Sequence, residues 1–341
     1  MSYKGILRIQ GTLDLKQFWP SGESDADTTK VLINVAPGAF TFQASKAAPA
    51  QPTSAFDDAR LKGMGKKTII TKGRVTVRLQ GIDAPELHYA PSPLGRSASI
   101  TDAMRAAFHE VNRKYRQNWG QSAAKALHDA LAKAGAGPLD CEFFTYVDAP
   151  NDVCDRYGRM VGDVAVKMPG GKTLNINTWV LANGWALPSF YDSMSKAEIK
   201  RLMNVANKAE AAGKGLWSGF SQKLGAFNFK LLYAKGKDVP GFAIGDDSGM
   251  FLMPKIFRRQ CTWACYRKAG ITSDTFLAYM KKKAEKFHHT PDFLANGDGA
   301  AWVSLGDYVK KGEFTLHGDE IVNKESPSTL LDDAGAEITA W

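Results

Sequence analysis

The chain has 341 residues, of which 44% are hydrophobic and 23% charged, with a net charge of +9. That composition excludes a disordered chain and a membrane-embedded protein, and no run approaches the roughly 18 to 20 apolar residues of a spanning helix. The positive balance favours polyanionic partners, nucleic acid first, and nearly all of the excess falls before residue 220.

In chain order, GILRIQGTLDL and TTKVLINV alternate as two strands around the turn SGESDAD. Residues 36–66, rich in Ala, Pro, Gly and Ser, are expected to form a long loop or an extended hairpin. GRVTVRLQGI (73–82) is a clear strand. A helix is expected over 102–117, capped by Thr101 or Asp102, and a second over 122–135 ending at Gly135. DCEFFTYV (140–147) and CDRYGRMVGDVAVKM read as strands, with PGGK (169–172) as a hairpin loop. TLNINTWVLANGWAL begins extended and closes as a short helix. SKAE (195–198) is a capping box that opens a helix running to about Gly213. Strands with helices inserted between them, and no regular strand–helix alternation, predict an α+β fold built on a small β-barrel.

After residue 220 the character changes. GKDVPGFAIGDDSGMFLMP is expected to form strands and turns, followed by helices over KIFRRQCTWACYRKAG and SDTFLAYMKKKAEKF, the second capped by Ser273. We place a domain boundary near Gly219. Residues 1–219 form the first domain, and 220–341 a smaller C-terminal α+β domain of unknown fold. Four cysteines are too few for a disulfide scaffold. Cys141 and Cys154 face each other across a strand connection, and a reducing compartment favours free thiols there. Cys261 and Cys265 lack further ligands at zinc spacing and read as buried thiols. The N-terminus shows no secretory h-region, so the expected location is cytoplasmic.

RLQGIDAPE, residues 78–86, carries the chemistry. Cutting a phosphodiester needs guanidinium groups on the phosphate oxygens, a hard cation held by carboxylates, and a carboxylate to activate water. Arg78, Asp83 and Glu86 lie in this one segment. SDADTT adds Asp25 and Asp27, two residues apart on a strand end, and DRYGR adds Arg159. Lys66, Lys67, Lys72 and Arg74 form a basic run that reads as a solvated face or a guide for a nucleic-acid backbone.

These segments resemble the thermonuclease family of staphylococcal-nuclease-like (SNase-like) domains. RLQGIDAPE resembles its R-L-x-G-I-D-A-P-E signature, DADT its D-G-D-T, and DRYGRMVGDVAV its D-x-Y-G-R-x-L-A-x-V segment. LNINTWVLANGWA and AAGKGLWS are similar to its two closing stretches. The resemblance covers about residues 5–219, with insertions at 36–66 and 87–117. It implies an OB-like five-stranded barrel and Ca²⁺-dependent hydrolysis of DNA or RNA. By position, Arg78 and Arg159 resemble the phosphate-clamping arginines and Glu86 the carboxylate that orients or deprotonates the attacking water. Asp27, Asp83 and the backbone carbonyl of Ala84 resemble the calcium ligands, with Asp25 in the outer shell. Tyr191, Lys72 and Arg74 are candidate substrate contacts. Two departures are Ala26 for the Gly of D-G-D-T and Ala84 for a Thr found in some members. The competing reading is a catalytically silent binding module, but such a domain is expected to have lost part of the constellation, and all five side chains are present. The C-terminal part is a candidate for targeting or restraining the nuclease. Lys255, Arg258, Arg259, Arg267 and Lys268 offer either a second nucleic-acid contact or an exposed basic helix face, and the exposed face is the favoured expectation.

Overall fold

The computed structural model describes residues 5–33, 39–65, 67–234, 241–326 and 328–341. Lys66 lies outside them. Five strands form the central element: β1 (Gly5–Leu13), β2 (Thr28–Ile33), β3 (Arg74–Leu79), β4 (Leu139–Val147) and β5 (Met160–Lys167). β1 pairs antiparallel with β2 and with β4, and β2 with β3. β3 runs parallel to β5, and β5 pairs antiparallel with β4, which closes the ring. The result is a closed five-stranded barrel with OB-like connectivity, as expected from the sequence.

Alternation explains the closure. Leu7, Ile9, Leu13, Val31, Val75, Val77, Leu79, Phe143, Val164 and Val166 are buried at every second position of their strands and fill one core. Gly162 lets β5 approach β4, because a Cβ there would stand 2.5 Å from the Phe144 carbonyl oxygen. The 36–66 insertion takes the hairpin alternative. Phe40–Gln43 pairs with Ile6–Ile9 of β1 and turns back to Gln51–Pro52.

Helix α1 (Asp102–Val111) buries Phe108 in a second core, whereas α2 (Gly120–Ala132), α3 (Ile176–Ala182) and α4 (Lys196–Ala211) pack on the barrel. Ser195 caps α4 as expected, accepting from the Glu198 amide. Thr101 caps α1, but that helix stops at Val111 and does not continue to 117. The cause is tertiary: the Tyr115 amide donates to the Tyr89 carbonyl, and the Tyr115 ring is buried in the same second core. α2 begins two residues earlier than expected, because an acid far along the chain caps it, as described below.

That second core is built largely on α5 (Pro254–Lys268) and α6 (Phe276–Lys283) with short strands, whereas α7 (Thr290–Asn296) places Phe293 in the barrel core. Thr275, not Ser273, caps α6. Among the described residues of 241–253 the chain forms turns with an isolated bridge at Phe251 and no named strand. The two parts of the chain are interlaced. Phe190–Tyr191 adds in parallel to Ile321–Asn323, Leu330–Leu331 pairs with Arg60–Leu61, and the Trp341 ring stacks on Phe42 at 3.9 Å. All four cysteines are free and buried. Among the described residues no helix is long and apolar enough to cross a membrane.

Candidate active site

The site lies where β3 ends. Register places Thr28 of β2 beside Arg78, and Arg78 beside Val161 of β5. Asp27 and Arg159, each one residue outside its strand, are therefore delivered to the same end of the barrel. Gly81 lets the chain reverse after β3. It holds φ +77°, and its carbonyl accepts from the Ser189 amide. Ile82–Asp83 then pairs with Leu187–Pro188, which fixes Asp83 two residues after the turn.

Asp27 and Asp83 are both buried. Asp27 Oδ2 accepts from the Ala84 amide at 2.9 Å and pairs with Arg78 Nη1, while the Thr28 hydroxyl donates to Oδ1 at 3.0 Å. Arg78 Nη2 donates to Asp83 Oδ1 and to the Ile82 carbonyl, each at 3.0 Å. Burial alone would raise the Asp27 carboxyl, but Arg78 and the Ala84 amide hold it below its ordinary value. Burial also opposes the charge on Arg78, and Asp27 and Asp83 outweigh it. Glu86 moves the other way. Burial pushes it up against the pull of Arg258, and Asp83 and Asp27 add repulsion.

Arg159 stands to one side. Its Nε and Nη2 both reach Asp155 Oδ2 at 2.7 Å, and its Nη1 lies 3.5 Å from Thr28 Oγ1. Thr28 thus links Arg159 to Asp27. Asp25 is half-buried, and its Oδ1 is buried with no hydrogen-bond partner. Burial and the charges of Asp27 and Glu86 raise its carboxyl well above the ordinary range. Tyr191 sits near the cluster. Burial raises its phenol, and Arg78 is the main opposing charge. Lys72 and Arg74 are exposed at the opposite end of β3, about 13 Å or more along the strand from Arg78, so they do not join this cluster.

One residue in the site was not singled out as a site residue from the sequence. Arg258 of α5 places Nη1 3.1 Å from Asp83 Oδ1 and Nη2 3.2 Å from Asp83 Oδ2, and Nη1 also donates to Glu86 Oε1. Its neighbours face inward too. Lys255 Nζ donates to Asn323 Oδ1 at 2.6 Å and lies 3.6 Å from Glu285, and Arg259 pairs with Glu285. This corrects the expected exposed basic face of α5: the three side chains are half-buried and each meets an acid or amide. Gln117 ties the two regions together. Its side-chain oxygen accepts from the Glu86 amide at 3.2 Å, and its amide nitrogen donates to the Leu252 carbonyl just before α5.

The donors available for a cation are carboxylate and carbonyl oxygens, the chemistry of a hard divalent ion such as calcium. The unpartnered Asp25 oxygen and the raised Asp25 and Glu86 carboxyls mark a surplus of acid that suits such an ion. Among the described residues, however, no group of three or more His, Cys, Asp and Glu side chains is set to hold one as they stand. The reason is visible in the contacts: guanidinium groups occupy both oxygens of Asp83 and the Oδ2 of Asp27.

A closed barrel with this arginine–carboxylate cluster at one end defines an SNase-like, OB-type domain. Residues 76–219 match the family described as Staphylococcal nuclease homologue. The matched stretch contains Arg78, Asp83, Ala84, Glu86, Arg159 and Tyr191. Asp25 and Asp27 precede it and reach the cluster through the β2–β3 pairing. No curated protein matches the chain.

Proposed function

We propose that the protein is a Ca²⁺-dependent phosphodiesterase that hydrolyses DNA or RNA with little sequence preference. The observation that carries this reading is the convergence of Asp27, Arg78 and Asp83 in direct contact, with Glu86 bridged to Asp83 by Arg258 and Arg159 linked through Thr28, at one end of an SNase-like barrel. Asp27, Asp83 and the Ala84 carbonyl are the residues that would hold the cation, with Asp25 behind them. The ion, when bound, supplies positive charge to a phosphate oxygen.

Arg78 and Arg159 bind the remaining phosphate oxygens, each through parallel N–H donors, and stabilise the five-coordinate transition state. Glu86 accepts the proton of the attacking water as its oxygen bonds to phosphorus and the bond to the leaving oxygen breaks. A carboxyl raised by burial is a stronger base than an ordinary one, which suits that task. Guanidinium clamps contact phosphate and not base edges, so sequence discrimination is weak. Tyr191 lies close enough to the arginines to border the substrate.

A second reading, a catalytically silent nucleic-acid- or protein-binding module, is favoured by Arg258, which engages Asp83 and Glu86 at once. Cleavage assays on single- and double-stranded DNA and on RNA, with Ca²⁺ or chelator, separate the two. Metal-dependent cutting supports the nuclease. Nucleic-acid binding without cutting in any metal supports the module.

A further inference from the structure

Arg258 is held in place by more than its own contacts. Ile256, Phe257 and Cys261 of the same helix are buried in the second core. The Thr262 hydroxyl lies 3.0 Å from that of Tyr89, three residues beyond Glu86. Gln117 ties Leu252 to Glu86, as above. Glu285 and Asn323 hold Lys255 and Arg259 on either side. The helix is thus fixed along the 86–89 segment and presents one guanidinium to the acids.

That guanidinium engages both carboxylate oxygens of Asp83 as a bidentate pair and spends its remaining reach on Glu86. An oxygen that accepts two guanidinium hydrogen bonds, as Asp83 Oδ1 does from Arg78 and Arg258, has no free lone pair for a metal. Arg258 is nonetheless a long side chain with 27% of its surface exposed, so the head can withdraw toward solvent while α5 stays docked.

We infer that Arg258 is an internal counter-cation that competes with the divalent metal for Asp83, so that α5 sets the metal affinity of the SNase-like site. This rests on the reading of Asp27 and Asp83 as metal ligands. A divalent ion binds when the Arg258 head leaves Asp83 and Glu86, and a bound anionic substrate gives the released guanidinium a new partner. The C-terminal part of the chain thereby restrains a site it does not itself build.

The test is calorimetric titration of Ca²⁺ into the full-length chain without nucleic acid, comparing wild type with Arg258→Ala, Arg258→Met and Arg267→Ala. Arg258→Met keeps the apolar stem and its packing. Arg267, whose guanidinium donates to the Ser273 and Asp274 carbonyls, controls for loss of one positive charge. Loss of a bidentate charge-assisted pair predicts Ca²⁺ affinity at least about tenfold tighter in both Arg258 variants and unchanged in Arg267→Ala. Thermal unfolding gives an independent readout, since Ca²⁺ should raise the melting temperature of Arg258→Met more than that of wild type. Arg258 variants that bind Ca²⁺ no more tightly than wild type, or no Ca²⁺ binding by any form, would overturn the inference. Tighter binding without any cleavage would leave it standing and remove the nuclease reading instead.

Discussion

Asp247 offers a direct measure of how strongly the C-terminal part supports the site. Helix α2 starts after Trp119, which adopts φ +71° and provides no side-chain cap. The cap comes from Asp247, which is buried and accepts from the Gln121 amide at 2.8 Å, the Ser122 amide at 3.2 Å and the Ser122 hydroxyl. The same helix start packs against the turn that carries Glu86, since a Cβ on Gly120 would stand 2.7 Å from the Glu86 carbonyl oxygen. Asp247→Ala leaves two amides and a hydroxyl buried without an acceptor. A lost cap costs about 0.5–2 kcal/mol and each orphaned donor about 1–3 kcal/mol, and because these overlap the expected loss is about 3 kcal/mol. Burial raises the Asp247 carboxyl, partly offset by Ser122 and the Gln121 amide, so the acceptor matters more than the charge. Asp247→Asn keeps one acceptor oxygen but turns an NH2 toward the donors on the other, so it should cost less than Asp247→Ala but still about 1–2 kcal/mol. Equilibrium urea unfolding reads both, as a shift in midpoint at constant slope. An Asp247→Ala change below about 0.5 kcal/mol would refute the capping argument.

Other outcomes follow from particular contacts. Gly81→Ala forces a Cβ to 2.4 Å from the Leu202 Cδ1 methyl and an alanine into φ +77°, so we expect a loss of about 2 kcal/mol together with reduced cleavage, read by unfolding and by nuclease assay. Glu285 is pushed up by burial but pulled further down by Lys255 and Arg259. A folded-state value below the unfolded one gives stability that is present above the unfolded pKa and lost as pH falls through the folded one. Glu285→Gln should thus lower stability at neutral pH and flatten the fall of wild-type stability on acidification, measured by urea unfolding across the acid range. All four thiols are buried, and burial, with Asp140 adding to it, pushes that of Cys141 up to about 12. A thiol reagent should label none in the native protein and four after denaturation without reductant, whereas two would reveal a bridge.

The barrel was legible because local pattern and global fold agree in it: alternation throughout β2, β3 and β4 and over most of β1 and β5, a Ser cap at α4, and glycines at the tight approaches. The acid–arginine cluster was legible too, because its members lie at strand ends whose order the motifs preserve. Helix ends set by distant partners were not. Nothing in residues 112–117 announces that Tyr115 will bridge to Tyr89, and nothing near Trp119 announces a cap 128 residues away. Arg258 is the instructive case. Spacing correctly placed Lys255, Arg258 and Arg259 on one helix face, but which way that face turns depends on acids at 83, 86 and 285. A charge run reads as solvated unless its counter-charges are adjacent in sequence.

The measurement that bears most directly on the central claim is cleavage of single-stranded DNA, double-stranded DNA and RNA by the full chain in Ca²⁺ or chelator, with Arg159→Ala and Glu86→Gln alongside. If Arg159 binds the phosphate and Glu86 takes the water proton, wild type cuts only with the metal and each variant loses on the order of a hundredfold or more. Cutting that survives chelation, or variants that cut as fast as wild type, would contradict the account.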